Sequence, residues 1–183
     1  MKVKDAVLQA AKHLGIYDSV EGYLERNVGS GKADAERLVD CFNTVENELA
    51  FDYLPLYMED EMQSQTGQIY FSELSESAVR ILGVEDEWGN SIPFRLFPAY
   101  LKTQPGKVRV KFTYTPKRKD VDGESDFTLN VSERLISYGM AAEYCVNRGM
   151  FTEAAVWDKK YKDGIVAACS GQKGKRLRSR RWV

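Results

Sequence analysis

A single histidine, His13, serves all 183 residues of the chain. Zinc sites, nucleophile–histidine triads and histidine acid–base pairs all need that side chain together with partners. His13 stands near the end of a helical stretch with no partner close in sequence, so it is expected to be an exposed or helix-end histidine. The three cysteines, Cys41, Cys145 and Cys169, are odd in number, far apart and without a CxxC unit. That spacing offers no disulfide framework, and small buried thiols in a reducing compartment are expected. No apolar run approaches the roughly 20 residues that cross a bilayer. Met1-Lys2-Val3-Lys4-Asp5 has no apolar stretch of signal-peptide type, so a cytoplasmic protein with no membrane partner is expected.

Other chemical signatures are missing too. Gly29-Ser30-Gly31-Lys32 lacks the spacing of a phosphate-binding loop and the strand that should precede it. The acidic run Asp120, Asp122, Gly123, Glu124, Asp126 echoes a calcium loop. Counted from Asp120, however, its sixth position is Ser125 instead of glycine and its twelfth is Val131 instead of glutamate. It reads as a solvated acidic loop. The pairs Glu59/Glu61 and Glu85/Glu87 have no base beside them. No cofactor, no metal and no enzymatic activity are expected.

What the chain does have is a charge split. Six of its 26 basic residues fall in the last eleven positions, with no acidic residue among them. They are Lys173, Lys175, Arg176, Arg178, Arg180 and Arg181, followed by Trp182 and Val183. The whole chain is at −1, which leaves residues 1–172 with 27 acidic side chains against 20 basic, near −7. A segment so poor in apolar residues does not fold alone, and reads as an arm that docks on something else. Phosphates are one candidate, with Trp182 stacking on a base and Lys107, Arg109 and Lys111 adding a basic strand face. Against this, the acidic body repels a duplex, and no recognised nucleic-acid motif occurs.

With 43% hydrophobic and 29% charged residues, the body is expected to be globular, one domain with an insertion. Helical spacing links Val3, Ala6, Val7, Ala10 and Leu14, and Gly15 breaks the run. A short segment from Asp18 to Arg26 follows, then a flexible joint over 27–31. Leu38, Cys41, Phe42, Val45, Leu49 and Phe51-Asp52-Tyr53 continue the 3.6-residue pattern in a helix ended by Pro55.

The period then drops to two. Thr66-Gly67 is expected to join a hairpin, Trp88-Gly89-Asn90 to make a second turn, and Val108, Val110, Phe112 and Tyr114 to form one face of a strand. Together these predict a small antiparallel β-meander. Helical spacing returns after the charged loop 116–126. Asn130 is expected to cap a helix striped by Leu135, Tyr138, Gly139, Ala142, Cys145 and Val146, with Glu133 completing a capping box. Gly149 ends it, and Thr152 caps a last helix carrying Ala154, Trp157, Tyr161, Ile165 and Ala168. The short joint forces these two helices antiparallel.

The fold class expected is therefore α+β. An antiparallel helical bundle (1–56 and 130–170) carries a β-rich insertion with a charged loop (57–129) and an extended basic C-terminal arm (171–183).

One segment carries a resemblance. Glu133-Arg134-Leu135-Ile136-Ser137-Tyr138-Gly139-Met140-Ala141-Ala142-Glu143-Tyr144-Cys145 is followed by Gly149-Met150-Phe151-Thr152-Glu153-Ala154-Ala155-Val156-Trp157 and Lys160-Tyr161. In order and composition this resembles the head–tail connector (adaptor, or head-completion) proteins of tailed bacteriophages. The similarity spans roughly 31–56 and 130–170 plus the tail.

It implies a structural virion protein made in the host cytoplasm. Such a protein forms a closed homo-oligomeric ring, generally twelvefold, beneath the portal. The ring extends the DNA channel and offers a platform for a tail or stopper protein. It further implies that Lys173, Lys175, Arg176, Arg178, Arg180, Arg181 and Trp182 dock on the portal, with non-specific contact to passing DNA the lesser role. The alternatives are another tail-completion factor and a nucleic-acid-binding accessory protein.

Overall fold

The computed structural model describes residues 1–128 and 131–170. The chain is α+β and divides into two compact units, one of residues 1–45 with those from 119 onward, the other of residues 46–118.

The first unit is helical. α1 (Val3–His13) buries Val3, Ala6, Val7, Ala10 and Ala11, the apolar stripe expected of its spacing. Gly15 follows at φ 70°, a left-handed conformation that costs glycine nothing. α2 (Tyr17–Arg26) buries Val20 and Gly22 and ends on Asn27 in the left-handed region. α3 (Lys32–Glu48) begins after Gly31, where a Cβ would lie 2.0 Å from the Ser19 carbonyl oxygen. The glycine of the phosphate-loop lookalike is there because two backbones touch.

α4 (Glu133–Asn147) and α5 (Phe151–Ser170) run antiparallel, since Leu135 meets Gly164 while Gly139 meets Tyr161. The N-cap of α4 is Ser132, whose Oγ accepts from the Leu135 amide at 3.1 Å. This replaces the expected Asn130–Glu133 box. Asn130 lies outside the described residues, and Glu133 is the first residue of the helix. α4 also packs on α1. Gly139 permits close approach, because a Cβ there would stand 2.8 Å from Val45 Cγ1 and 3.0 Å from Tyr161 Cε2.

The charged loop belongs to this unit because its backbone is stitched to it. The Val3 amide donates to the Gly123 carbonyl at 3.0 Å and the Ser125 amide to the Met1 carbonyl at 2.9 Å. Asn43 and Lys119 exchange hydrogen bonds, and Lys119 Nζ meets Asp126 Oδ1 at 2.9 Å.

The second unit opens with a change of helical pitch. Leu49–Tyr53 is a π-helical turn closed by the Leu54 amide on the Leu49 carbonyl at 2.7 Å. The wider turn brings Leu54, not Tyr53, back to the buried side. Phe51 is 65% exposed and Tyr53 39%, against the inward places their spacing suggested.

Two three-stranded antiparallel sheets follow, with orders β1-β6-β3 and β2-β5-β4. The first contains β1 (Leu56–Ser64), β3 (Ala78–Asp86) and β6 (Gly106–Tyr114); the second contains β2 (Gln68–Tyr70), β4 (Arg95–Leu96) and β5 (Tyr100–Lys102). This is not one meander. The last strand sits between the first and third, and Thr66-Gly67 carries the chain from one sheet to the other instead of joining a hairpin. Gly67 accepts from the Thr103 amide at 2.8 Å. The turn at Asp86–Asn90 forms as expected, with Asp86 Oδ1 accepting from the Trp88 and Asn90 amides. Ile69 and Leu101 from the second sheet join Val84, Val108, Val110 and Phe112 from the first in one core.

Candidate docking face of the helical unit

The arm residues Lys173, Lys175, Arg176, Arg178, Arg180, Arg181 and Trp182 lie outside the described residues. The other surfaces singled out in the sequence are described, and two of them differ from expectation.

The basic strand face is neutralised. Lys107 Nζ lies 2.7 Å from Glu61 Oε2, Arg109 Nη2 3.1 Å from Glu61 Oε1, and Lys111 Nζ 2.5 Å from Glu85 Oε1 and 3.6 Å from Glu59 Oε1. The cross-strand registers Glu59↔Lys111, Glu61↔Arg109 and Glu85↔Arg109 dictate this, because opposed side chains on one face are neighbours. The Lys107 and Arg109 charges hold the Glu61 carboxyl below its usual range. The alternating acids of β1 and the alternating bases of β6 thus cancel each other and leave no basic stripe for phosphates.

His13 is not a lone helix-end residue. It is half-buried, its Nε2 lies 3.2 Å from Ser137 Oγ, and its ring packs against both Tyr138 and Trp157 at centroid distances of 5.1 and 4.8 Å. Burial, then the nearby Lys160 and Arg134 charges, push its pKa below the ordinary 6.5. Ser137 also donates to the Arg134 carbonyl at 2.9 Å. The cluster holds the end of α1 against α4 and α5.

Around these rings stand two cations, Arg134 and Lys160. Arg134 Nε donates to Tyr138 Oη at 2.6 Å, and its guanidinium carbon lies 5.5 Å from the Tyr138 centroid. Lys160 Nζ stands 4.0 Å from the Trp157 centroid and 5.7 Å from that of Tyr138. Neither has a carboxylate partner among the described residues, so both charges face outward. Beside them a groove of about 530 Å³ runs between α4 and α5, floored by Leu135, Gly164, Ala167 and Ala168 and rimmed by Arg134 and Tyr138. The sequence contains this face as two cation–aromatic pairs at helical spacing, Arg134/Tyr138 and Trp157/Lys160. It is easily overlooked there because Tyr138 and Trp157 also fit the apolar stripe.

Among the described residues no group of three or more histidine, cysteine or carboxylate side chains could hold a metal ion. The acidic loop is tied to Lys119 and to the N-terminal backbone, as above. The three cysteines are free. Burial, helped by the Glu143 charge, pushes the Cys41 thiol up to about 12, which makes it a poor nucleophile. Among the described residues no helix is long and apolar enough to cross a membrane. In comparison with known proteins, no family model matches the chain and no curated protein matches it significantly.

Proposed function

We propose that the chain is a structural virion protein, a head–tail adaptor that assembles as a ring beneath the portal of a tailed bacteriophage. In this reading it extends the DNA channel and gives a tail or stopper protein its platform. The observation that carries the proposal is the α4–α5 pair. The segment with the connector-like order of residues folds as two helices joined at Gly149, and these pack through Gly139, Gly164 and Ala154. They follow a β-rich unit that is itself preceded by a long helix, which is the order of a bundle with an inserted sheet unit. The Lys173–Val183 arm follows α5 in the sequence. Repeated around a ring of twelve, one arm per subunit turns weak docking into strong avidity. A closed ring needs head-to-tail contacts.

The neutralised strand face speaks against the nucleic-acid accessory reading. The portal partner is tested by mixing purified chain with purified portal and imaging by negative-stain electron microscopy. Rings capping the portal are expected. A chain truncated after Gln172 should unfold at the wild-type temperature and fail to dock. Trp182→Ala should weaken docking more than any single lysine substitution in the arm, because a buried aromatic anchor outweighs a rim charge. Wild-type chain that ignores portal overturns the proposal.

A further inference from the structure

We infer that the α4–α5 groove receives the Phe51-Asp52-Tyr53 turn of a second copy of this chain, and that this contact joins neighbouring subunits head to tail. The inference rests on the ring reading above and names its interface.

Both halves of the contact are on display. Phe51 and Tyr53 are among the exposed large apolar side chains, and they sit on the π-helical turn. The π-helical turn is closed by its own hydrogen bond and anchored by buried Leu49 and Leu54 on either side. A projection so held loses little freedom when it docks. The groove is apolar, floored by small residues, and at about 530 Å³ wide enough for an aromatic ring.

Charge then selects the occupant. Arg134 at the groove and Lys160 beside its Tyr138 rim have no acidic partner among the described residues, and exposed Asp52 has no basic one among them. Apart from pairing, a nucleic acid would need free aromatic faces for stacking. Those of Tyr138 and Trp157 are taken up by His13, by each other and by the two cations. An acidic, aromatic protein segment meets both the apolar floor and the cationic rim, and the chain carries one. Where the turn and the groove of one copy engage two different neighbours, the contact is heterologous and propagates until a ring closes.

The test is charge reversal read by sedimentation velocity across a concentration series. Wild-type chain should assemble beyond the dimer. Asp52→Arg and Arg134→Asp should each weaken assembly at least about tenfold, because like charges then face each other at the contact. An equimolar mixture of the two variants should recover assembly. The arginine introduced in one variant then meets the aspartate introduced in the other, and the untouched Asp52 and Arg134 meet at the alternate contacts. Phe51→Ser, which removes the anchor without changing charge, should weaken assembly in either background. Thermal unfolding of each variant confirms that it is folded.

Several outcomes overturn the inference: a wild type that stays monomeric at every concentration or stops at a dimer, single variants that assemble like wild type, or a mixture that stays dissociated. DNA binding that Arg134→Asp abolishes while assembly is unchanged assigns the cations to nucleic acid and also overturns it. Failure here is distinct from failure of the adaptor reading. Rings that survive charge reversal and still dock on portal refute this contact alone, whereas wild-type chain that never docks refutes the adaptor.

Discussion

The side chain of Asn43 takes the place of a peptide group for Lys119. Its Nδ2 donates to the Lys119 carbonyl at 2.9 Å, and its Oδ1 accepts from the Lys119 amide at 2.6 Å. The second Nδ2 hydrogen serves the Val39 carbonyl one helical turn back at 2.8 Å. A side chain that is only 7% exposed thus satisfies both of its own polar atoms and the backbone of the residue at which the chain re-enters the helical unit.

Asn43→Ala should therefore cost about 1–3 kcal/mol, because it strands two partly buried backbone groups at up to about 1–3 kcal/mol each, less what water recovers. Asn43→Asp keeps the shape but loses the donor, and should cost a comparable amount at neutral pH. Urea unfolding followed by circular dichroism measures both. A loss no larger than that of an exposed alanine substitution such as Thr44→Ala would show that the clamp carries no stability.

The sole histidine makes a clean pH probe. The folded state holds the His13 pKa below 6.5, so between that lowered value and 6.5 the unfolded chain binds a proton that the folded chain does not. The stability tied to this residue is complete above about 6.5, falls as pH drops below it, and levels off once the folded pKa is passed. His13→Gln should flatten that part of the stability–pH profile. Lys160→Gln should move the imidazole resonances, followed by NMR, to a higher pKa by removing one repelling charge. A His13 titration at or above 6.5 would refute the buried, cation-flanked description.

The strand face predicts a gain of function. Replacing Glu59, Glu61 and Glu85 together by glutamine frees Lys107, Arg109 and Lys111. The triple variant should fold with little change in its unfolding midpoint, since exposed ion pairs stabilise weakly. It should bind duplex DNA with a salt dependence of roughly 0.9 log units per phosphate neutralised, where the wild-type face binds none. Fluorescence anisotropy over a salt series reads this directly. Equal DNA affinity for the two proteins would mean that the acids do not mask the bases.

The helices could be read from the chain because each carries its own evidence. Val3, Val7 and Ala10, or Leu38, Phe42 and Val45, mark a buried stripe whatever they pack against. The sheets could not, because strand pairing is a relation between distant segments. Leu56 pairs with Tyr114, and nothing near Leu56 announces that. Thr66-Gly67 misled for a physical reason. It has the composition of a hairpin turn and strand-like residues on both sides, yet the glycine is there for close approach to Thr103.

The outward swing of Phe51 was equally hidden, since a single π-helical turn shifts the stripe by one residue and leaves no mark in the pattern. The candidate docking face was half legible. Its cation–aromatic pairs lie at helical spacing within α4 and α5, but the third aromatic partner, His13, comes from the other end of the chain.

That last arrangement governs how the protein must be made. α1 leaves the ribosome well before α4, the helix it packs on, which emerges only after the whole of the second unit. Residues 46–118 can complete their core early, whereas Val3, Val7 and Ala10 wait for their α4 cover until residues 133–147 have been made. Contacts of such long sequence separation slow folding and leave apolar surface open to wrong partners in the meantime. A chain released before α4 and α5 have been synthesised lacks the α4 cover for its first helix.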